Sequence, residues 1–142
     1  VPGGRVSTAL TSTLDLLPTC AALAGAPLPA DRLLDGYDLS DLLIRDAASP
    51  RETMFYYRGA ELMAVRHGPF KAHYRTQAAY GEGAKQATAH NPPLLFQLEH
   101  DPSERDNVAQ QHPEVLAAID QIVTEHRRDL VVVPSQLEIP LP

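Results

Sequence analysis

Leu94-Leu95-Phe96-Gln97-Leu98-Glu99-His100-Asp101-Pro102-Ser103-Glu104-Arg105-Asp106-Asn107 is the stretch on which the fold turns. Its first half alternates: Leu94, Phe96 and Leu98 share one face, and Gln97 and Glu99 the other, the period of a half-buried strand. Asp101-Pro102-Ser103 then forms a turn, because proline presets φ and its neighbours hydrogen-bond local backbone. Pro92-Pro93 delivers this strand, Leu94–Leu98, and a helical pattern takes over at Pro113.

Working outward, three more strands precede it: Thr53–Arg58, Glu61–Arg66 and Phe70–Arg75. Arg58-Gly59-Ala60 and His67-Gly68-Pro69 are links of hairpin length, so the spacing predicts an antiparallel meander of about four strands. Pro113–Asp129 reads as an amphipathic helix with Val115, Leu116, Ile119, Ile122 and Val123 as its stripe. Arg127 and Arg128 near its end suit the helix dipole. The helix is expected to lie across the sheet, which makes the class α+β. Val131–Val133 is expected to add a short edge strand, and 134–142 to be a tail. Thr76–Asn91 is polar and small, and reads as a mobile or ligand-adjacent loop between the third and fourth strands.

The 142 residues suffice for one domain with a modest core, and 44% are hydrophobic. Tryptophan is absent and aromatics are 6%, so that core is aliphatic. A net charge of −6 argues against a nucleic-acid partner, which needs a basic face. No run of about 18 apolar residues exists, so no membrane-spanning helix is expected. Cys20 is the single cysteine, which excludes an intrachain disulfide. A start at Val1-Pro2-Gly3-Gly4 without methionine suggests a fragment or a processed product.

In the N-terminal part, Ser7–Ala24 is a helix candidate with Leu14, Leu17, Ala21 and Ala24 on one face. Pro18 fits the first turn of a helix starting near Leu17, with an irregular or short helical lead over Thr11–Leu16. Ser12 or Thr13 can cap it and Gly25 can end it. Cys20 lies in an apolar pattern with no nearby histidine or base, so a buried structural cysteine is expected rather than a nucleophile. Asp35-Gly36 is a turn, and Asp38–Leu43 reads as one or two helical turns capped by Asp38. Asp35, Asp38 and Asp41 lack the EF-hand spacing and its closing glutamate, so turn and capping roles are expected.

Pro92-Pro93-Leu94-Leu95-Phe96-Gln97-Leu98 running into Asp101-Pro102-Ser103-Glu104 resembles the C-terminal region of type I sulfatases, nearest the arylsulfatase A branch. Similar runs occur at 13–29 (through LDLLPT and LAGAPLP), 34–43 (LDGYDLSDLL), 50–59 (PRETMFYYRG), 64–73 (AVRHGPFKAH) and 134–138 (PSQLE). The resemblance covers nearly the whole chain and is weakest at 76–88 and after 136. It implies that residues 1–46 link to an absent large α/β catalytic domain, while 47–142 form the C-terminal subdomain. The apolar helix near Leu17 would belong against that absent domain, leaving a face exposed and open to self-association in the isolated chain.

Sulfatase chemistry needs a formylglycine nucleophile, a divalent cation and charge-stabilising side chains. The resemblance implies formylglycine and Ca²⁺ for a parent enzyme. This chain contains no Cys/Ser-x-Pro-x-Arg motif, so no catalytic residue, metal ligand or bound cofactor is expected in it, and it is expected to be inactive alone. What remains is one wall of a substrate cleft. His90, just before the fourth strand, either hydrogen-bonds a sulfate ester there or fixes the turn at Asn91-Pro92. Lys71 and His73 share a strand face and form either an anion-binding pair or a solvent face. Arg58 and Arg66 flank Glu61, as a cross-strand ion pair would. His67, His100, His112 and His126 have no zinc-like spacing.

Two classes of function follow. One is the C-terminal part of a sulfuric ester hydrolase, partnered by its upstream catalytic domain and a sulfate ester. By resemblance such a protein is periplasmic, secreted or lysosomal, and a related phosphoesterase is the nearest variant. The other is a stand-alone α+β interaction module, in which the Leu10–Leu23 helix would be buried.

Overall fold

Four strands form one antiparallel sheet in the order β1-β2-β3-β4: β1 Thr53–Arg58, β2 Glu61–His67, β3 Phe70–Thr76 and β4 Thr88–Gln97. These come from a computed structural model that describes residues 3–132. The chain divides into two units, Val1–Glu52 and Thr53–Pro142.

In the second unit the residue pairing fixes the faces. Phe55 opposes Val65, Val65 opposes Ala72 and Ala72 opposes Leu95, so one apolar row crosses all four strands. Helix α3, Pro113–Asp129, lays Leu116, Ile119 and Val123 onto that row. Val65, Ala72, Leu95 and Ile119 have no exposed surface. Met63 is the extra residue of a bulge, since Tyr56 opposes Ala64 but Tyr57 opposes Leu62. The bulge turns Leu62 onto the core face beside Val65. His126 of α3 stacks on Phe55 with ring centroids 3.8 Å apart and hydrogen-bonds the Tyr57 hydroxyl at 2.9 Å.

β4 begins at Thr88, well before the expected Leu94, and Leu98 falls in the following turn. Pro92 and Pro93 therefore lie inside a strand. They are tolerated because β4 is an edge strand, and because the residue before a proline is driven to extended backbone. The register slips between His73, opposite Leu94, and Arg75, opposite Ala89, so residues 90–93 bulge out opposite Tyr74. The Asn91–Pro92 peptide within that bulge is cis. The remaining link, 77–87, carries a 3-10 turn at Glu82–Ala84.

The open edge of β4 is closed by the chain's own return. Asn107 Oδ1 accepts from the amides of Leu95 (3.0 Å) and Ala109 (3.1 Å), and the Val108 amide donates to the Leu95 carbonyl at 2.8 Å. After α3, residues 131 and 132 form no strand, against expectation. Val133 and the tail at 134–142 lie outside the described residues.

The first unit is organised by Asp15. A capping box joins Ser12 to the 3-10 turn Thr13–Asp15, and α1, Leu16–Ala24, follows at once. Pro18 sits in the first turn, where an amide has no intrahelical partner, and Gly25 ends the helix at φ 65. Asp15 has no exposed surface: its carboxylate accepts from the amides of Ser12 (2.7 Å) and Tyr37 (2.9 Å) and pairs with Arg51. Ser49 donates to the Leu10 carbonyl at 2.6 Å. These ties lie within the unit Val1–Glu52.

α2 is Ser40–Arg45; Asp38 accepts from the Ser40 amide at 2.8 Å from just ahead of it, and Leu39 is the capping position. Cys20 is exposed rather than buried, because α1 presents that face to solvent together with Leu16 (62%), Leu17 (56%) and Leu23 (51%). The expected Arg58–Glu61–Arg66 ion pairing is replaced: Glu61 faces Arg75 at 3.6 Å, and Arg66 Nε donates to the Gly68 carbonyl at 3.1 Å.

Candidate functional site

The sheet face opposite α3 carries the polar cluster. Lys71 opposes Phe96 and His73 opposes Leu94, so both project away from the Val65–Ala72–Leu95 row. Neither is a free surface charge. Lys71 Nζ donates to Glu104 Oε1 at 2.7 Å, and His73 Nε2 stands 2.8 Å from Glu104 Oε2. The second contact lacks the alignment of a hydrogen bond and is an ion pair only when His73 is protonated. Side-chain exposures of 18% for Lys71, 15% for His73 and 26% for Glu104 keep the cluster half dry. The Tyr56 ring lies 4.9 Å beneath Lys71 Nζ, and Phe96 meets the His73 ring edge-on at 5.6 Å.

Glu104 is presented by a constructed turn. Its φ is 55, a left-handed conformation uncommon outside glycine. Asp101 holds it there: the Glu104 amide donates to the Asp101 carbonyl at 3.1 Å, and Asp101 Oδ2 accepts from the Arg105 and Asp106 amides at 2.7 and 2.9 Å. Burial pushes the Glu104 carboxyl up, but the Lys71 hydrogen bond and charge, with His73, outweigh it and hold its pKa below the ordinary value. Burial, then the Lys71 charge, lowers the His73 pKa against the pull of Glu104. Glu104 is thus the anion and His73 the neutral member near pH 7.

His90 lies within the β4 bulge, not in a loop ahead of the strand, and its Nε2 is 2.8 Å from Thr76 Oγ1. A charge on His90 would further oppose one on His73. A hollow of about 240 Å³ opens beside this cluster, lined by Tyr56, Met63, Lys71, His73, Arg75 and Gln77. A second, polar hollow of about 370 Å³, lined by Gln86 and Thr88, shares Thr76 and Gln77 with the first. The two meet at the residue to which His90 is bonded. A larger hollow of about 460 Å³ belongs to the first unit, where Leu16, Leu23, Leu39, Leu42 and Leu43 make it an apolar packing surface.

The structure therefore brings Lys71 and His73 together through Glu104 and ties His90 to Thr76. Sequence reading missed Glu104, Thr76 and Tyr56. Glu104 stands in the very stretch quoted first, but nothing local announces that it reaches back 33 residues to Lys71. The arrangement can bind, orient and exclude charge. No three His, Cys, Asp or Glu side chains converge as a metal ion would require, among the described residues.

Residues 49–140 match the family model described as the C-terminal region of aryl-sulfatase. Human arylsulfatase A is 47% identical, over 80% of this chain and 26% of that protein. Mouse steryl-sulfatase is 41% identical, over 94% of this chain and 25% of that protein. The chain thus spans about a quarter of the length of these curated relatives. Among solved structures, a sulfatase from Pseudoalteromonas sp., PsFucS1, superposes with a TM-score of 0.74 over 88% of this chain and 27% of that one, at 22% identity. Ps i-CgsB gives 0.66 over 88% and 26%, at 27% identity.

Proposed function

The chain belongs to the sulfatase family, as the family's C-terminal region, and from that premise we propose that it works as the C-terminal part of a sulfuric ester hydrolase. In this reading its first unit docks on an upstream catalytic domain and its sheet forms one wall of the substrate cleft. The observation that carries it is the polar face of β3 and β4, where Lys71 and His73 line one hollow and His90 is bonded to Thr76, which that hollow shares with a second. In this reading His90, held by Thr76, donates to an ester oxygen or to the group that bears it, and Lys71 and His73 line the approach.

The chemical step belongs to residues outside this chain. Calcium and formylglycine are groups of the parent enzyme in this reading. Among the described residues no three His, Cys, Asp or Glu side chains converge as a metal site, so no step is routed through the metal here. The chain alone is inactive. The exposure of Leu16, Leu17 and Leu23 supports a docking role for α1 and speaks against an autonomous module, which would bury them. No helix among the described residues is long and apolar enough to cross a membrane. A secreted, periplasmic or lysosomal setting is part of the proposal and rests on the relatives.

The test is kinetic. The parent protein, expressed with a formylglycine-generating enzyme, is expected to hydrolyse an aryl sulfate faster than the matching aryl phosphate. His90→Ala should lower kcat/KM by about tenfold or more, the scale of one lost polar contact to substrate. Hydrolysis of the phosphate alone would make the parent a phosphoesterase. Unchanged kinetics in His90→Ala would remove His90 from the cleft.

A further inference from the structure

Every cation that lines the hollow beside β3 already faces a carboxylate: Lys71 faces Glu104 at 2.7 Å, and Arg75 faces Glu61 at 3.6 Å. The two ion pairs differ. Arg75 and Glu61 are open to water, with side-chain exposures of 41% and 57%, and such a pair yields easily to solvent. Lys71, His73 and Glu104 are mostly buried, and the carboxylate divides itself, one oxygen to each partner. Lys71 hydrogen-bonds one oxygen and the His73 ring approaches the other at 2.8 Å, so the two side chains frame an oxyanion site, and here the chain supplies the anion itself. It does so from a left-handed glutamate that Asp101 holds in place.

We propose that Glu104 is a specificity-determining residue: its carboxylate fills the Lys71–His73 oxyanion site, so the hollow accepts neutral polar groups and refuses a second sulfate or carboxylate. A tethered carboxylate competes at high effective concentration, so a free anion cannot displace it cheaply. An anion entering while Glu104 stayed would meet like charge in a half-dry site. Without Glu104 the same two side chains are left to take a sulfate oxygen each. The consequence for substrate choice rests on the reading that this face borders the cleft; the anion chemistry itself does not.

The experiment follows the His73 imidazole and Lys71 side-chain resonances of the chain by NMR. Sodium sulfate is titrated against sodium chloride at equal ionic strength. Glu104→Asn removes the charge with a residue at ease in left-handed backbone, and Glu104→Asp keeps the charge. The expected result is saturable sulfate binding to Glu104→Asn at least about tenfold tighter than to the wild type or Glu104→Asp, the scale of a charge-assisted hydrogen bond regained by the ligand. Adding Lys71→Met to Glu104→Asn should abolish it. Equal affinity in wild type and Glu104→Asn overturns the proposal, as does a folded Glu104→Asn that gains no binding. Unfolding of both Glu104→Asn and Glu104→Gln overturns it too, by making Glu104 a brace. If sulfate binding appears as expected while the parent hydrolyses no sulfate ester, the gate stands and the enzymatic reading falls.

Discussion

Replacing Asp15 by alanine is expected to cost the first unit about 3–5 kcal/mol, the scale for removing one member of a buried ion pair. The figure follows from what Asp15 holds. Its carboxylate has no exposed surface, takes Arg51 Nε at 3.1 Å and Arg51 Nη2 more closely, and accepts two backbone amides. Alanine leaves the Arg51 guanidinium, 5% exposed, without the carboxylate it grips, while the Asp35 carbonyl at 2.8 Å and the Tyr37 ring at 4.7 Å stay beside it. Summing every lost bond separately would overshoot, because they share one carboxylate. Asp15→Asn fares little better, since an amide offers one acceptor oxygen where two are used. The assay is amide hydrogen exchange in α1, which should accelerate by about two to four powers of ten. The Arg51 hydrogen bond, opposed by burial and aided by the Tyr37 and Ser12 amides, holds the Asp15 pKa below 3.8. A lowered carboxyl pKa means its contribution is complete above the unfolded value and is lost as pH falls through the folded one. The wild-type unit should therefore loosen only below pH about 4. Less than tenfold acceleration in Asp15→Ala would refute the view that Asp15 organises this unit.

Gly36→Ala should destabilise the same unit by about 2 kcal/mol or more, because an added Cβ would meet the Leu14 carbonyl oxygen at 2.0 Å; a urea midpoint equal to wild type would contradict this. Ile119→Ala should cost the sheet unit about 2–5 kcal/mol, since Ile119 is fully buried beneath the sheet; protection of the β2 and β3 amides reports it. Burial and the Lys71 charge lower the His73 pKa below 6.5, so the unfolded chain binds the extra proton in the window beneath 6.5. Stability of the sheet unit should rise with pH through that window and level off above it. His73→Asn should remove that slope, and an imidazole pKa at or above 6.5 would refute the account.

Local sequence determined the elements whose stabilising contacts are near in the chain. Alternation marked β1, β2 and β3, the 3.6-residue period together with Pro113 marked α3, and Ser12, Pro18 and Gly25 marked the ends of the α1 region. The family resemblance in Pro92–Asn107 was legible for the same reason, being carried by a contiguous strand and turn. Only the tertiary structure decided what depends on distant partners. Pro92 and Pro93 lie within β4 because that strand is at the sheet's edge, a fact of topology. Cys20 is exposed because nothing described covers that face of α1, which an apolar pattern cannot report. Asp15 meets Arg51 across 36 residues, and Glu104 meets Lys71 across 33. Periodicity records which face a residue takes, whereas a buried charge is matched by whichever opposite charge the folded chain brings within reach. The sequence shows that Lys71 and His73 share a face; the fold alone shows that Glu104 already occupies it.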